Sequence, residues 1–318
     1  MSLRRLYRQH STAVLFAFLA AFWGTSFVAI EVGLHYVPPL YFAGARYAVA
    51  GAVVFAYAYA KADRWLPSGR DEWLVVSIAG LFLIGAYHGL LYLGELRISG
   101  PVAAVVISLT PILTAVCASA LLPSNDLGTA ELAGLGLGLV GVVVLVAPDP
   151  TAFELGSALG VALVFLSAVS FALGAVLTRP FDSDLPLVSM EAWAMLLGAG
   201  SLFVGGALRG ESLSAVHVTP VAVASFLYLT FVSGVVGFLL YFELLDRTGP
   251  TEINLVGYAE PVVATLASAA LVGHVVETSA VVGFVAIFAG FAVLKRDALR
   301  EFVTRDVPAT SDVYPDAD

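Results

Sequence analysis

Ten times along the chain an apolar run of helical length ends at a short polar turn. Runs of about 18–25 residues are long enough, as α-helices, to cross a hydrocarbon core of about 30 Å. Lipid offers no water to satisfy backbone N–H and C=O groups, so each run must form its hydrogen bonds internally. The composition agrees: 59% of the 318 residues are hydrophobic and only 12% are charged. A soluble domain carries about 25% charged residues. The runs predict helices over 12–30, 39–60, 72–93, 100–122, 130–147, 156–178, 186–208, 219–244, 250–272 and 279–295. The expected fold class is an all-α integral membrane protein with ten transmembrane helices.

The start, "MSLRRLYRQHSTAVLFAFLAAFWG", has the charge pattern of a signal peptide. No small-x-small cleavage site follows and the apolar run continues through Ile30, so it reads as a first span. Placing residues 1–11 in the cytoplasm puts twelve basic residues on that side: Arg4, Arg5, Arg8, Lys61, Arg64, Arg70, Arg179, Arg247, Lys295, Arg296, Arg300 and Arg305. Only Arg97 and Arg209 then face outward, and Arg46 stays inside a span. Basic loops stay cytoplasmic, so the expected location is the cell membrane, multi-pass, with both termini inside. The acidic segment 296–318 has little to bury and reads as a disordered cytoplasmic tail. A net charge of −9 argues against a nucleic-acid partner. The single cysteine, Cys117, excludes an internal disulfide and reads as a small hydrophobe. No sequence feature calls for a cofactor or a metal.

The chain also repeats itself. Gly100-Pro101 matches Gly249-Pro250 at an offset of 149, while Pro111 matches Pro261 and Gly24 matches Gly174 at 150. Pro39 and Gly51 match Pro186 and Gly198 at 147. Two units follow, 12–147 and 156–295, each with five expected spans. An odd number of spans makes the second unit enter the membrane from the opposite side. Inverted five-helix repeats are the architecture of many secondary transporters, whose two open states exchange the conformations of the halves.

The stretch "AFWGTSFVAIEVGLHYVPPLYFAGARYAVAG" resembles the opening of an EamA-type repeat of the drug/metabolite transporter superfamily. Trp23-Gly24, Pro38-Pro39 and Arg46 after a small residue carry the likeness, with the Gly-Pro starts and central prolines of the fourth and ninth helices. It covers about residues 12–295 in two copies. One departure is clear: the Gly-Glu pair that often follows those helices in the family reads "LLPSND" and "LVGHVV" here, with His274 where glutamate is common. The resemblance implies a ten-helix exporter or exchanger of small metabolites. Its expected partners are a small-molecule substrate and membrane lipids, and the sequence leaves monomer and homodimer open.

Polar residues inside the spans are the candidate site. Glu260 lies about 15 Å into the ninth span at 1.5 Å per residue. A charge at that depth must face the bundle interior or water. It can bind a substrate amine, it can load and release a proton, or it can be hydrogen-bonded to a neighbouring helix and fix packing only. Pro261 and Pro111 are the expected helix breaks, and Pro261 deprives the Gly257 carbonyl of its helical donor. His88 and Tyr92 share a face of the third helix with Glu95 at i, i+4 and i+7, which fits an outward path or a satisfied interfacial belt. Arg46 can hold a substrate carboxylate or clasp Glu31 or Glu95. Asn254 and Tyr258 are candidate substrate contacts, and Trp23 a cavity wall. Thr110 and Thr114 face substrate or their own backbone. Glu243 and Arg247 read as a surface pair, and the glycines of the fifth helix as a close helix contact.

The leading expectation is a secondary active transporter of small metabolites, amino acids among them, with protons as a candidate coupling ion. Lipid or drug-like cargo, or a facilitative channel, is the alternative. An intramembrane enzyme is disfavoured, since no HExxH, paired-aspartate or phosphate-loop motif is present.

Overall fold

The computed structural model describes residues 3–122, 129–146, 155–248, 253, 256–273 and 278–294. Helices account for its regular structure: α1 (Leu3–Gly33), α2 (Pro39–Lys61), α3 (Gly69–Glu95), α4 (Gly100–Leu121), α5 (Thr129–Val146), α6 (Leu155–Leu177), α7 (Leu187–Arg209), α8 (Pro220–Thr248), α9 (Val256–Leu271) and α10 (Thr278–Leu294). Seven of these, α1–α4 and α6–α8, are long and apolar enough to cross a membrane. The apolar helices α5, α9 and α10 are shorter, so seven of the ten expected spans are met at full length among the described residues.

Local chemistry sets the helix ends. Pro39 opens α2, where a missing N–H costs nothing. The Glu211 carboxylate accepts from the Leu40 and Tyr41 amides at 3.0 Å and satisfies that helix end from the α7–α8 connection. Glu31 does the same for α4, accepting from the Gly100 amide at 2.8 Å. Gly210 stops α7 with φ 76°, a conformation side chains avoid.

Two long helices carry a wider π-helical stretch, Ala79–Ala86 in α3 and Tyr228–Val236 in α8. Such a stretch loosens the carbonyl ladder and opens it to outside donors. Both stretches use this. Ser170 of α6 donates to the Phe82 carbonyl at 2.9 Å, and Trp23 of α1 donates to the Ser233 carbonyl at 3.2 Å.

Packing is reciprocal. α2 lies against α7 and α5 against α10; α1 packs on α9 and α8, and α6 packs on α4 and α3. Glycine permits the closest approaches: a Cβ on Gly141 would meet the Gly283 carbonyl at 2.6 Å, and one on Gly24 would meet the Glu260 carbonyl at 2.8 Å. The glycines of α5 therefore serve contact within the chain. Gly136 is the exception, with open space around it. Large apolar side chains such as Leu81, Val204, Leu227 and Leu266 are exposed on the outer surface, where lipid tails take the place of water.

The start of α1 and the end of α8 lie together, because Arg247 donates to the Ser11 hydroxyl at 3.1 Å. The α2–α3 connection joins the start of α7, where Ser189 donates to the Arg64 carbonyl at 2.8 Å and Trp193 to the Trp65 carbonyl at 2.9 Å. Trp65, Trp193 and Trp73 form an edge-on aromatic cluster there with Phe55, the composition of a membrane–water boundary.

Candidate functional site

A cavity of about 720 Å³ is lined by residues of α1–α4 and α6–α9. Its lining starts deep at Arg46, Tyr47 and His88 and ends at Thr178, Arg179 and Leu245. Arg179 is exposed and follows the end of α6, so the mouth is at the end of the bundle that carries the start of α1. None of the connections at the opposite end, between α1 and α2 or α3 and α4, contributes to the lining.

The deep end is a hydrogen-bonded chain. Arg46 donates from Nη1 to the Leu229 carbonyl at 3.2 Å and from Nη2 to the Tyr47 hydroxyl at 2.7 Å. The Tyr47 hydroxyl meets His88 Nε2 at 2.5 Å, and His88 Nδ1 meets the Ile84 carbonyl at 3.1 Å. Arginine only donates and a backbone carbonyl only accepts. The proton order that satisfies every member has Tyr47 donating to Nε2 and Nδ1–H donating to Ile84. The Arg46 guanidinium carbon lies 4.2 Å from the centre of the Tyr47 ring and 5.6 Å from that of Tyr92, close enough for cation–π attraction. Its Nε is buried without a hydrogen-bond partner among the described residues.

Midway along, α9 presents Gly257 and Glu260 to the cavity and α4 presents Thr110 and Pro111. The α4 helix breaks over Ser108 and Leu109, and the Ile107 carbonyl, which Pro111 leaves without an amide, accepts from the Thr110 hydroxyl at 2.6 Å. In α9 the helix runs unbroken through Pro261 from Val256 to Leu271, so Pro261 is a missing donor rather than a break. Glu260 is buried, lines the cavity and makes no hydrogen bond to a described residue.

Of the expected site residues, Trp23, Arg46, His88, Thr110, Pro111 and Glu260 line the cavity together. Tyr92 does not: it is fully buried behind Arg46, edge-on to Phe42. Tyr258 does not either, because two residues along a helix is more than half a turn from Glu260; its ring packs against Phe288 of α10. Asn254, His274 and Gly249-Pro250 lie outside the described residues. The expected clasp of Arg46 on Glu31 or Glu95 is not the arrangement found. Glu31 is bound to the Gly100 amide, and both Glu95 oxygens are buried without a hydrogen bond among the described residues. Thr114 donates to the Thr110 carbonyl at 2.8 Å, so it serves backbone. Glu243 and Arg247 form the expected i, i+4 pair at 2.6 Å.

Among the cavity residues that the sequence reading does not single out are Tyr47, Tyr241 and Glu191. Glu191 of α7 is buried, lines the cavity, and its Oε1 has no hydrogen-bond partner among the described residues. A signal existed, since a carboxylate inside an apolar span is costly unless it faces the interior or water.

The model of the EamA-like transporter family matches residues 11–147 and 158–296. Among curated proteins, the uncharacterized transporter YvbV of Bacillus subtilis is 27% identical over 81% of this chain and 82% of its own. The uncharacterized inner membrane transporter YedA of Escherichia coli is 28% identical, covering 82% of each chain. A probable amino-acid metabolite efflux pump of Salmonella typhimurium is 28% identical over 84% of this chain and 89% of its own. A solved crystal structure covers 92% of this chain and 99% of its own with a TM-score of 0.63 at 23% identity, a likeness of fold.

Proposed function

The chain belongs to the EamA-like transporter family, and on that footing we propose that this multi-pass membrane transporter is a secondary active carrier of small metabolites, amino acids among them, working by alternating access. One observation carries the reading. Charged groups of both signs, Arg46, Glu191 and Glu260, are each buried yet line a single cavity of about 720 Å³ whose lining reaches one end of the bundle. A channel wants a continuous path lined by like groups. This cavity mixes a guanidinium with two carboxyl groups, and no residue of the α1–α2 or α3–α4 connection lines it.

The internal symmetry supports a rocking mechanism. The donor of α6 serves the π stretch of α3, and the donor of α1 serves the π stretch of α8. Since α1 and α6 are matching members of the two sequence repeats, as are α3 and α8, each half holds its own copy of one joint. Two copies of opposite orientation can exchange conformations, closing the present mouth and opening the other end. His88, Tyr92 and Glu95 rise on one face of α3 from the cavity into the closed end, where they would line the second path. With the N-terminus cytoplasmic, the described state is open inward. Glu260 is the candidate for loading either a substrate amine or a proton.

Purified protein in liposomes tests this. With radiolabelled amino acids outside, unlabelled amino acid inside should accelerate uptake if the protein is a carrier. Uptake indifferent to internal substrate would mean a channel, and the carrier reading would fall.

A further inference from the structure

The cavity holds two buried carboxyl groups and one buried guanidinium. Arg46, Glu191 and Glu260 are each more than nine-tenths buried, at 4%, 8% and 8% exposure, and all three line the cavity. No two of them are joined in an ion pair. The remaining arginine in the lining, Arg179, stands at the exposed mouth, where water screens its charge. A buried charge without a partner is strongly unfavourable, so a cargo that supplies all three partners at once is favoured over one that supplies two.

We propose that the preferred cargo is a basic amino acid, with one carboxylate and two ammonium groups; this rests on the carrier reading above and names its substrate class. Arg46 has five N–H donors, and Nη1 and Nη2 each spend one on protein oxygens while Nε has no partner. It keeps enough for a carboxylate, and the aromatic rings of Tyr47 and Tyr92 hold its plane. Glu260 and Glu191 are acceptors only when ionised. No described residue donates to either. The carbonyl of Gly257, one turn before Glu260 and also in the lining, has lost its helical donor to Pro261. An ammonium with three donors suits that carboxylate-plus-carbonyl corner, and the second ammonium suits Glu191 of α7, which also lines the cavity. The matching position of the first repeat shows the contrast. There Thr110 fills the Ile107 carbonyl with its own hydroxyl and offers no charge.

Other classes leave a group unmatched. A neutral amino acid leaves one carboxylate bare, a diamine leaves Arg46 bare, and a dicarboxylate brings negative charge against two glutamates.

The test is counterflow in proteoliposomes with radiolabelled lysine, leucine, cadaverine and aspartate as probes. Wild type should move lysine at least about ten-fold faster than leucine, the value of one charged hydrogen-bonded contact, and faster than cadaverine or aspartate. Glu191→Gln should bring the lysine-to-leucine ratio close to one, and Glu191→Asp should keep it well above one. A wild-type ratio of one or less overturns the proposal, as does a ratio that Glu191→Gln leaves intact. If leucine moves and lysine does not, the substrate class is wrong while the carrier stands. If none of the four exchanges, the amino-acid carrier reading fails with it.

Discussion

Thr110 and Glu260 stand at matching positions of the two repeats, each directly before a proline, and the protein treats them in opposite ways. The Thr110 hydroxyl turns back 2.6 Å to the Ile107 carbonyl and closes the gap that Pro111 opens. Glu260 makes no hydrogen bond to a described residue and is presented to the cavity. One half of the pair is therefore satisfied by its own side chain, and the other has no hydrogen bond to a described residue. This asymmetry sets Glu260 apart from its counterpart and makes it the residue on which the proposed carrier function rests.

The sealed half gives the first prediction. Thr110→Val keeps the shape and removes the donor, leaving the Ile107 carbonyl without a partner inside the bundle. The thermal midpoint in detergent should fall by an amount equivalent to about 1–2 kcal/mol. An unchanged midpoint would mean that another group takes over the carbonyl.

The two π stretches make a matched pair. Trp23→Phe strips the donor from the Ser233 carbonyl, and Ser170→Ala strips it from that of Phe82. Each should cost about 1 kcal/mol of stability. If the two joints alternate between states, both variants should also slow exchange. Loss of exchange in one alone would argue that the joints are not equivalent.

Helix approach supplies a third. A methyl at Gly24 would sit 2.6 Å from the Val263 Cβ and 2.8 Å from the Glu260 carbonyl. Gly24→Ala must push α1 away from α9 at the level of Glu260, at a cost of about 1–3 kcal/mol. Gly136→Ala, which meets nothing within 4 Å, should leave the thermal midpoint where it is. Equal effects of the two would contradict the packing.

The mouth can be located by labelling. In a Cys117→Ser background, Ser119→Cys places one thiol in the cavity lining. A membrane-impermeant maleimide should reach it from the side of the N-terminus, and a transported substrate should protect it. Labelling from the opposite side at the same rate would place the mouth wrongly.

Much of the fold is legible in one dimension, because a lipid-crossing helix needs a run of apolar residues and nothing else. That is why the boundaries at Pro39, Gly100 and Pro220 fall where the turns predict. The repeat is legible for a similar reason, since glycine and proline mark joints whatever surrounds them. Which way each helix faces is harder to read. Lipid is as apolar as a protein interior, so neither burial nor exposure leaves a hydrophobic stripe. Tyr92 and Tyr258, expected to touch substrate, are packed behind it, while Tyr47, with nothing in its flanks to mark it, joins Arg46 to His88. Glu260 was legible because charge in a span has few tolerable places. Glu191 obeys the same rule one turn into α7, yet the sequence reading did not single it out.

The central claim, an alternating carrier built around Glu260, is tested most directly by comparing wild type with Glu260→Gln in liposomes, measuring amino-acid uptake with and without a pH gradient, and exchange in its absence. A gradient should drive uptake in wild type, and Glu260→Gln should lose gradient-driven uptake. Exchange retained by the variant would assign Glu260 to the proton, and exchange lost as well would assign it to the cargo. Gradient-driven uptake by Glu260→Gln at the wild-type rate would exclude Glu260 from transport and leave the carboxylate a packing element.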